Sequence, residues 1–480
     1  MGYRKLRING FAGLDTQKGD FHDDAATSPD AVNFICRNGC METAGGTRQY
    51  APVLPEKCTR LFQAFFGSAG GEPVLLAAGG GRLYALKEGA WSMIGEGFQS
   101  DAWRAVSYRN GAEEQILLVN GRDGMVNWDG ASRQVSVTAI SQGGQPIAFE
   151  QLTLLYERLW GAVHADAPDR IYWSESFEPD NWEMNYDTPD AGGGFIDVAT
   201  FDGSGIRAIE AAFDDILIFK DRSMHRLNGT YPGEFSLTQV YGSEGTLAAR
   251  TIVHTADRLY FLGFDGLCMY NGMSVSTLSQ AGDNRLNGIW KRLNREAMAG
   301  ACAAISGDTM YLALPLDGET ENSHVLEYRL GERSCSLVEL KGITDWLTVR
   351  EATGERLVCL IGDTIYEYGT GGTLAGQPVE AHWLSPVMTM GTLMAKRTAG
   401  RLLLLAEAHA AGGGNGIRLT LISGGRERTA EIPMKEGLNL IRKRLRIRGR
   451  TLRFRIENMD GCALRLPDGM EMIWEEDSDL

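Results

Sequence analysis

Four groups of side chains in this sequence have residue types that chemistry uses. The first is acidic. Trp173-Ser174-Glu175-Ser176-Phe177-Glu178-Pro179-Asp180-Asn181-Trp182 holds three carboxylates between two tryptophans. Carboxylates paired across a sugar ring hydrolyse glycosides, one as general acid and the other as base or nucleophile. The second is a set of metal-ligand types, Cys36, Cys40 and Cys58 with His22. Its spacing lacks the paired C-x-x-C knuckles of a zinc site. The third is Gly412, Gly413, Gly414 and Gly416, which lack the Lys-Ser/Thr of a phosphate loop and read as a flexible hairpin. The seven histidines, His22, His164, His225, His254, His324, His382 and His409, stand outside any recognisable catalytic motif. No catalytic, cofactor-binding or metal residue is assigned, and no cofactor is expected.

The fourth group is cationic. Ile441 to Ile456 reads IRKRLRIRGRTLRFRI. Alternate residues of a strand share a face, so Arg442, Arg444, Arg446 and Arg448 form one row. Arg453 and Arg455 follow after a turn at Gly449. Such a row serves as a solvated face with cross-strand partners, as a subunit contact built on bidentate Arg–carboxylate pairs, or as a DNA contact. The acidic stretch Glu475 to Asp479 offers partners for the second use.

The elements that must position these groups are strands. Glycine is abundant, with 60 residues against 14 prolines, and Asn-Gly or Asp-Gly occurs fifteen times. These dipeptides tolerate the positive φ of tight hairpins. Two short helices are expected. One starts at Ser28 with Pro29 in its first turn, and the other lies near Asn284 to Met298. A short strand rich in aromatic residues recurs, with Tyr84, Trp128, Trp173, Leu227, Tyr270, Tyr328 and Tyr368 as anchors. The spacings are 44, 45, 54, 43, 58 and 40 residues, near the 40–50 residues of a four-stranded propeller blade. Before most anchors runs a continuous apolar stretch such as Ile216-Leu217-Ile218-Phe219, as expected of strands buried between blades. The fold class is therefore all-β. Residues 1–54 are expected as an extended N-terminal arm, 55–372 as a β-propeller of about seven blades, and 373–480 as a jelly-roll-like β-sandwich.

Composition narrows the function. The formal charge is −15, which opposes ordinary nucleic-acid binding. No apolar run reaches the roughly 20 residues that span a bilayer, and the first residues lack a secretory h-region. Synthesis in a cytosol, with the eight cysteines reduced, is expected.

Several short stretches resemble a family of tail-associated structural proteins of short-tailed phages and prophages. They are Phe11-Ala12-Gly13-Leu14-Asp15, Ser28-Pro29-Asp30-Ala31-Val32-Asn33-Phe34 and Asn38-Gly39-Cys40-Met41-Glu42. Further echoes are Arg170 to Glu175 with Pro179 and Trp182, Ile218 to Leu227, and Leu445 to Asn458. Thr43-Ala44 stands where the family carries an arginine. The resemblance implies a multi-copy virion component near the portal–tail axis, a propeller ringed around a DNA channel as a nozzle or hub, and no catalytic residue. The expected partners are copies of the chain, a hexamer being favoured, other virion proteins such as adaptor or tail proteins, and phage DNA sliding past unbound. Arg442, Arg444, Arg446, Arg448, Asp30, Asn33 and Phe34 are the candidate subunit-interface residues. The alternatives are a glycan- or receptor-binding propeller, using Trp91, Trp103, Trp128 or Trp182, and a propeller glycoside hydrolase.

Overall fold

The unbroken apolar runs form strands buried on both faces. Leu259–Gly263 is buried at every residue, and Asp215–Phe219 at all but its first. A strand that meets core on both sides must be sandwiched between neighbouring sheets. The computed structural model describes all residues except 1–2, 18–23, 68–72, 112, 189, 201, 241–243, 280–281, 390–392, 394–395, 410–415 and 477–480.

Among the described residues, seven four-stranded antiparallel sheets follow one another along the chain. They span 60–96, 104–138, 151–197, 208–239, 253–277, 302–339 and 343–368, the last completed by Thr47–Gln49. The architecture is a β-propeller. First strands of successive sheets lie side by side, as 104–110 beside 151–155 and 151–155 beside 208–212. Apolar clusters fill the spaces between sheets. Ile116 and Leu118 meet Leu76 and Ala78, and Leu217 and Phe219 meet Leu259 and Phe261. Val349, Val358 and Leu360 of the last sheet pack on Leu61, Leu75 and Ala77 of the first, so the succession of clusters closes on itself. The seven sequence anchors all fall on the third strand of a sheet.

Beyond this lie two further sheets that share one core. One contains 3–8, 470–476, 397–409, 463–466, 40–43 and 34–37 in that order, with 437–449 on the other side of 397–409. The other contains 30–32, 382–384, 451–458, 416–423 and 426–433. Trp383, fully buried, meets Phe11 edge-on at 5.3 Å and stacks on Phe454 at 5.8 Å. Aromatic pairs of this kind add about 0.5–1.5 kcal/mol to their burial. The described residues of 3–54 are taken up strand by strand. Tyr3–Ile8 pairs with Met470–Glu476, Asp30–Val32 with His382–Leu384, Cys40–Thr43 with Ala463–Leu466, and Thr47–Gln49 with Thr364–Tyr368.

Two local expectations change. No helix starts at Ser28. Thr27–Ser28 and Asp30–Val32 are short strands, and the Ser28 hydroxyl donates to the carbonyls of Leu384 and Asp30 rather than capping a helix. A residue before proline is pushed out of the helical region, and here the extended option wins. The second helix exists but runs only from Asn287 to Arg292. The Asn-Gly and Asp-Gly pairs also divide. Among the described residues, only Asn38-Gly39, Asp317-Gly318 and Asp460-Gly461 hold positive φ at both positions. Others form Asx turns, as where the Asn120 carbonyl accepts from the N–H of Arg122 and Asp123. Residues 410–415, with most of the glycine run, lie outside the described residues.

Candidate interaction surface

The arginine row lies on the sheet that carries the chain's N-terminal strand. In Gly437–Gly449 the side chains of Ile441, Leu445 and Ile447 are buried, while Arg442, Arg444, Arg446 and Arg448 are exposed. Leu438 and Leu440 share the open side at 64% and 54% exposure, where a leucine gains nothing from burial. The neighbouring strand repeats the pattern: Leu402, Leu404 and Ala406 turn inward, and Arg401, Leu403, Leu405 and Glu407 turn outward.

Register places these side chains in rows. Arg401 stands opposite Arg444, Leu403 opposite Arg442, and Leu405 opposite Leu440. On the other side, Arg401 faces Ile473 and Leu403 faces Glu471. Among the described residues, Glu471 and Glu407 lie beside this row, and both are engaged, while the side chains of Glu475 to Asp479 lie outside the described residues. Glu471 lies 3.7 Å from Arg7 and 3.9 Å from Lys5, and Glu407 lies 3.2 Å from Arg465. Among the described residues, no carboxylate comes within ion-pair distance of Arg401, Arg442 or Arg444. Like charges directly opposite across two strands are destabilising. A concave pocket of about 440 Å³ opens between Arg401, Arg442, Arg444, Leu403 and Ile473. Chemically, this face suits a partner with carboxylates and apolar side chains. Residues 437–456 hold eight cations and no acid, so the rest of the chain carries a formal −23 against a total of −15.

The other interface candidates lie elsewhere. Phe34 is 1% exposed, inside the core of the C-terminal unit. Asn33 sits at φ +60°. Its amide donates to the Glu380 carbonyl, its side-chain oxygen accepts from the Glu339 N–H, and its backbone N–H bonds the Leu337 carbonyl. It rivets the sixth propeller sheet to the C-terminal unit. Asn33 and Phe34 are therefore consumed inside the chain and present nothing to a neighbour. Asp30 is exposed and accepts a hydrogen bond from His382 at 3.2 Å, which holds its carboxyl below the usual range.

The sites of the alternative readings come apart. Glu175 accepts from the N–H of Ser176 and Gly192 and pairs with Arg158 at 3.4 Å. Glu178 accepts from the Asn181 amide, and burial raises the Asp180 carboxyl. These groups shape the connection between the third and fourth strands of one sheet, away from the axis. Trp103, Trp128 and Trp182 are core residues at 1% exposure or less, with no face for a sugar. Cys36 and Cys58 belong to different core clusters, and burial raises each thiol to about 12. His22 lies outside the described residues, among which no group of three or more metal-ligating side chains occurs. Ser223 and His225 are 3.3 Å apart but buried at 6% and 7% exposure, out of reach of substrate.

One feature escaped the sequence reading. Ion pairs join the first strands of different propeller sheets. Arg104 of the second sheet bonds Glu210 of the fourth at 2.5 Å, and His254 lies 4.0 Å from the same carboxylate. Arg60 of the first sheet lies 3.6 Å from Asp345 of the seventh. Burial, with Arg250 and Arg104 nearby, lowers the Arg60 guanidinium to about 10. Arg250 is anchored on the carbonyls of Thr344 and Gly300. The available signal was positional: Arg60 and Arg104 each open the first strand of a sheet.

No family model and no curated protein matches the chain. Among solved structures, the extracellular domain of a hybrid two-component system from B. thetaiotaomicron aligns at a TM-score of 0.45 and 8% identity, over 88% of this chain. The chain spans 62% of that structure's length. BamB from Moraxella catarrhalis aligns at a TM-score of 0.37 and 13% identity, over 71% of this chain and 99% of BamB.

Proposed function

We propose that this chain is a structural protein of a bacteriophage virion, a multi-copy component of the tail or head-to-tail assembly. In this reading the seven sheets are the blades of one seven-bladed propeller, closed by Thr47–Gln49. The two further sheets form a jelly-roll-like β-sandwich. Copies stand in a ring, six being favoured, with adaptor or tail proteins above and below, after synthesis in the host cytoplasm. The role is mechanical and requires no catalytic residue.

The observation that carries the proposal is a cationic, leucine-bearing face on a body of acidic net charge. A rigid body on which Arg401, Arg442 and Arg444 stand exposed beside open leucines is built to be held by a neighbour. The residues that resemble the phage family support the same reading, because they set rigidity. At Gly13, φ is +89° and a Cβ would lie 2.7 Å from the Cys335 carbonyl, so only glycine fits. Asn33 rivets the two units together. In this reading the DNA path runs between copies rather than through the propeller itself, which the Arg104–Glu210 bridge supports, and the acidic surface lets DNA slide without specific contact.

Mass spectrometry and immunogold microscopy of particles induced from the source bacterium test the proposal. The expected result is several copies per particle, with label at the tail or neck. Protein free in the lysate and absent from particles overturns it.

A further inference from the structure

Charge is segregated along the chain. Residues 165–221 hold fourteen acids and three bases, the reverse of the stretch 437–456. Their strands belong to the third and fourth propeller sheets, whose connections carry exposed aromatics. Tyr186 is 85% exposed and Tyr231 40%. The two connections touch. A Cβ placed on Gly233 would lie 2.5 Å from the Asp190 carboxylate and 3.2 Å from the Tyr231 ring. The first connection is held in shape, since the Asn185 side chain accepts from the N–H groups of Asp187 and Thr188, and Gly193 N–H bonds the Glu183 carbonyl. The result is an edge where Asp190 and Glu234 lie beside the Tyr231 ring, and the exposed Tyr186 and Asp187 stand on the same connection as Asp190.

We infer that this acidic–aromatic edge is the surface that the cationic sheet face of a second copy grips. The inference rests on the ring reading and names its contact. Each face supplies what the other lacks. Arg401, Arg442 and Arg444 need carboxylates, Leu438 and Leu440 need apolar cover, and tyrosine rings provide flat apolar area flanked here by acids. Guanidinium groups also stack on aromatic faces. Contact of a cationic face with its own copy would set arginine against arginine, so the isologous arrangement is disfavoured. The contact is head-to-tail, and head-to-tail contacts make rings when their rotation closes.

Charge reversal at each end of the contact tests this. Wild-type chain is expected to self-associate in sedimentation velocity and native mass spectrometry, more weakly as salt rises. Arg442→Glu with Arg444→Glu, or Asp187→Lys with Asp190→Lys, is expected to weaken association by about 30-fold or more. Circular dichroism checks that both variants fold, and their exposed positions favour this. Mixed together, the two variants complement each other at both contacts, native face with native edge and reversed face with reversed edge. The mixture is therefore expected to assemble although each variant alone does not. All four substitutions in one chain are expected to restore assembly. Wild-type chain that stays monomeric, or variants that assemble like wild type, overturn the inference. A mixture that stays as unassembled as its two components overturns it as well. The particle experiment is separate: a monomeric protein found in particles leaves the virion reading standing without this contact.

Discussion

The two halves of the molecule are built by opposite rules. In the propeller, strands pair with their sequence neighbours, apart from Thr47–Gln49, which completes the last sheet. The sheet at 208–239 runs through its four strands in chain order, and its pairings span at most a few tens of residues. In the C-terminal unit, strands pair across the whole chain, Tyr3 with Glu475 and Glu42 with Arg465. Local pairing costs little loop-closure entropy, while distant pairing must be secured by many contacts at once. The junction supplies these contacts: Phe11, Leu14, Phe34 and Met41 share a core with Trp383 and with Leu312 and Leu337 of the sixth sheet.

The largest expected effect comes from Trp383→Ala. Removing this fully buried ring from between Phe11 and Phe454 is expected to cost about 3–5 kcal/mol. Hydrogen exchange should then show lost protection in 3–54 and 382–476, while amides of Leu217 and Phe261 stay protected. Equal loss in both regions would break the comparison, making the chain one cooperative unit. Asn33→Ala is expected to cost about 2–3 kcal/mol in urea denaturation, from two side-chain hydrogen bonds and a positive φ that alanine tolerates poorly. A change near zero would mean that the two units hold together without this rivet.

The smallest effect is one of pH. Glu327, on the sixth sheet, is buried, accepts from the Tyr368 hydroxyl at 2.9 Å and lies 3.7 Å from Arg37 of the N-terminal segment. Burial raises its carboxyl above the usual range. The folded state thus holds this proton more tightly than the unfolded chain. Its contribution to stability is full below the ordinary carboxylate pKa and is lost as pH rises through the raised one. Glu327→Gln should remove that decline, flattening the thermal-stability profile above about pH 4.5. An unchanged profile would show that Arg37 already neutralises the group.

The same contrast explains what was legible in the sequence. The anchors Tyr84 to Tyr368 marked every propeller sheet because the first three strands of each sheet come from one local stretch. The arginine row was legible because alternation is local too, and the exposure of Arg442 to Arg448 follows from it. The partners of Thr47–Gln49 and Tyr3–Ile8 were not, since no local pattern records which distant strand a segment joins. Asn33 and Phe34 stood out by resemblance, but whether a distinctive residue faces inward or toward a neighbour depends on distant packing. The Arg104–Glu210 bridge was hidden for the same reason: its ends lie on different sheets.

The pairing of Tyr3–Ile8 with Met470–Glu476 also sets a timetable. A ribosome adding about 5–20 residues per second takes roughly 25–95 s to travel from one strand to the other. During that interval the propeller sheets can form in order, because each needs only what has just emerged. The N-terminal strands must wait with open edges, and unpaired edges invite association with other chains. The three cations Arg4, Lys5 and Arg7 in this six-residue strand are the kind of charge that keeps a waiting edge apart from its copies until its partner strand arrives.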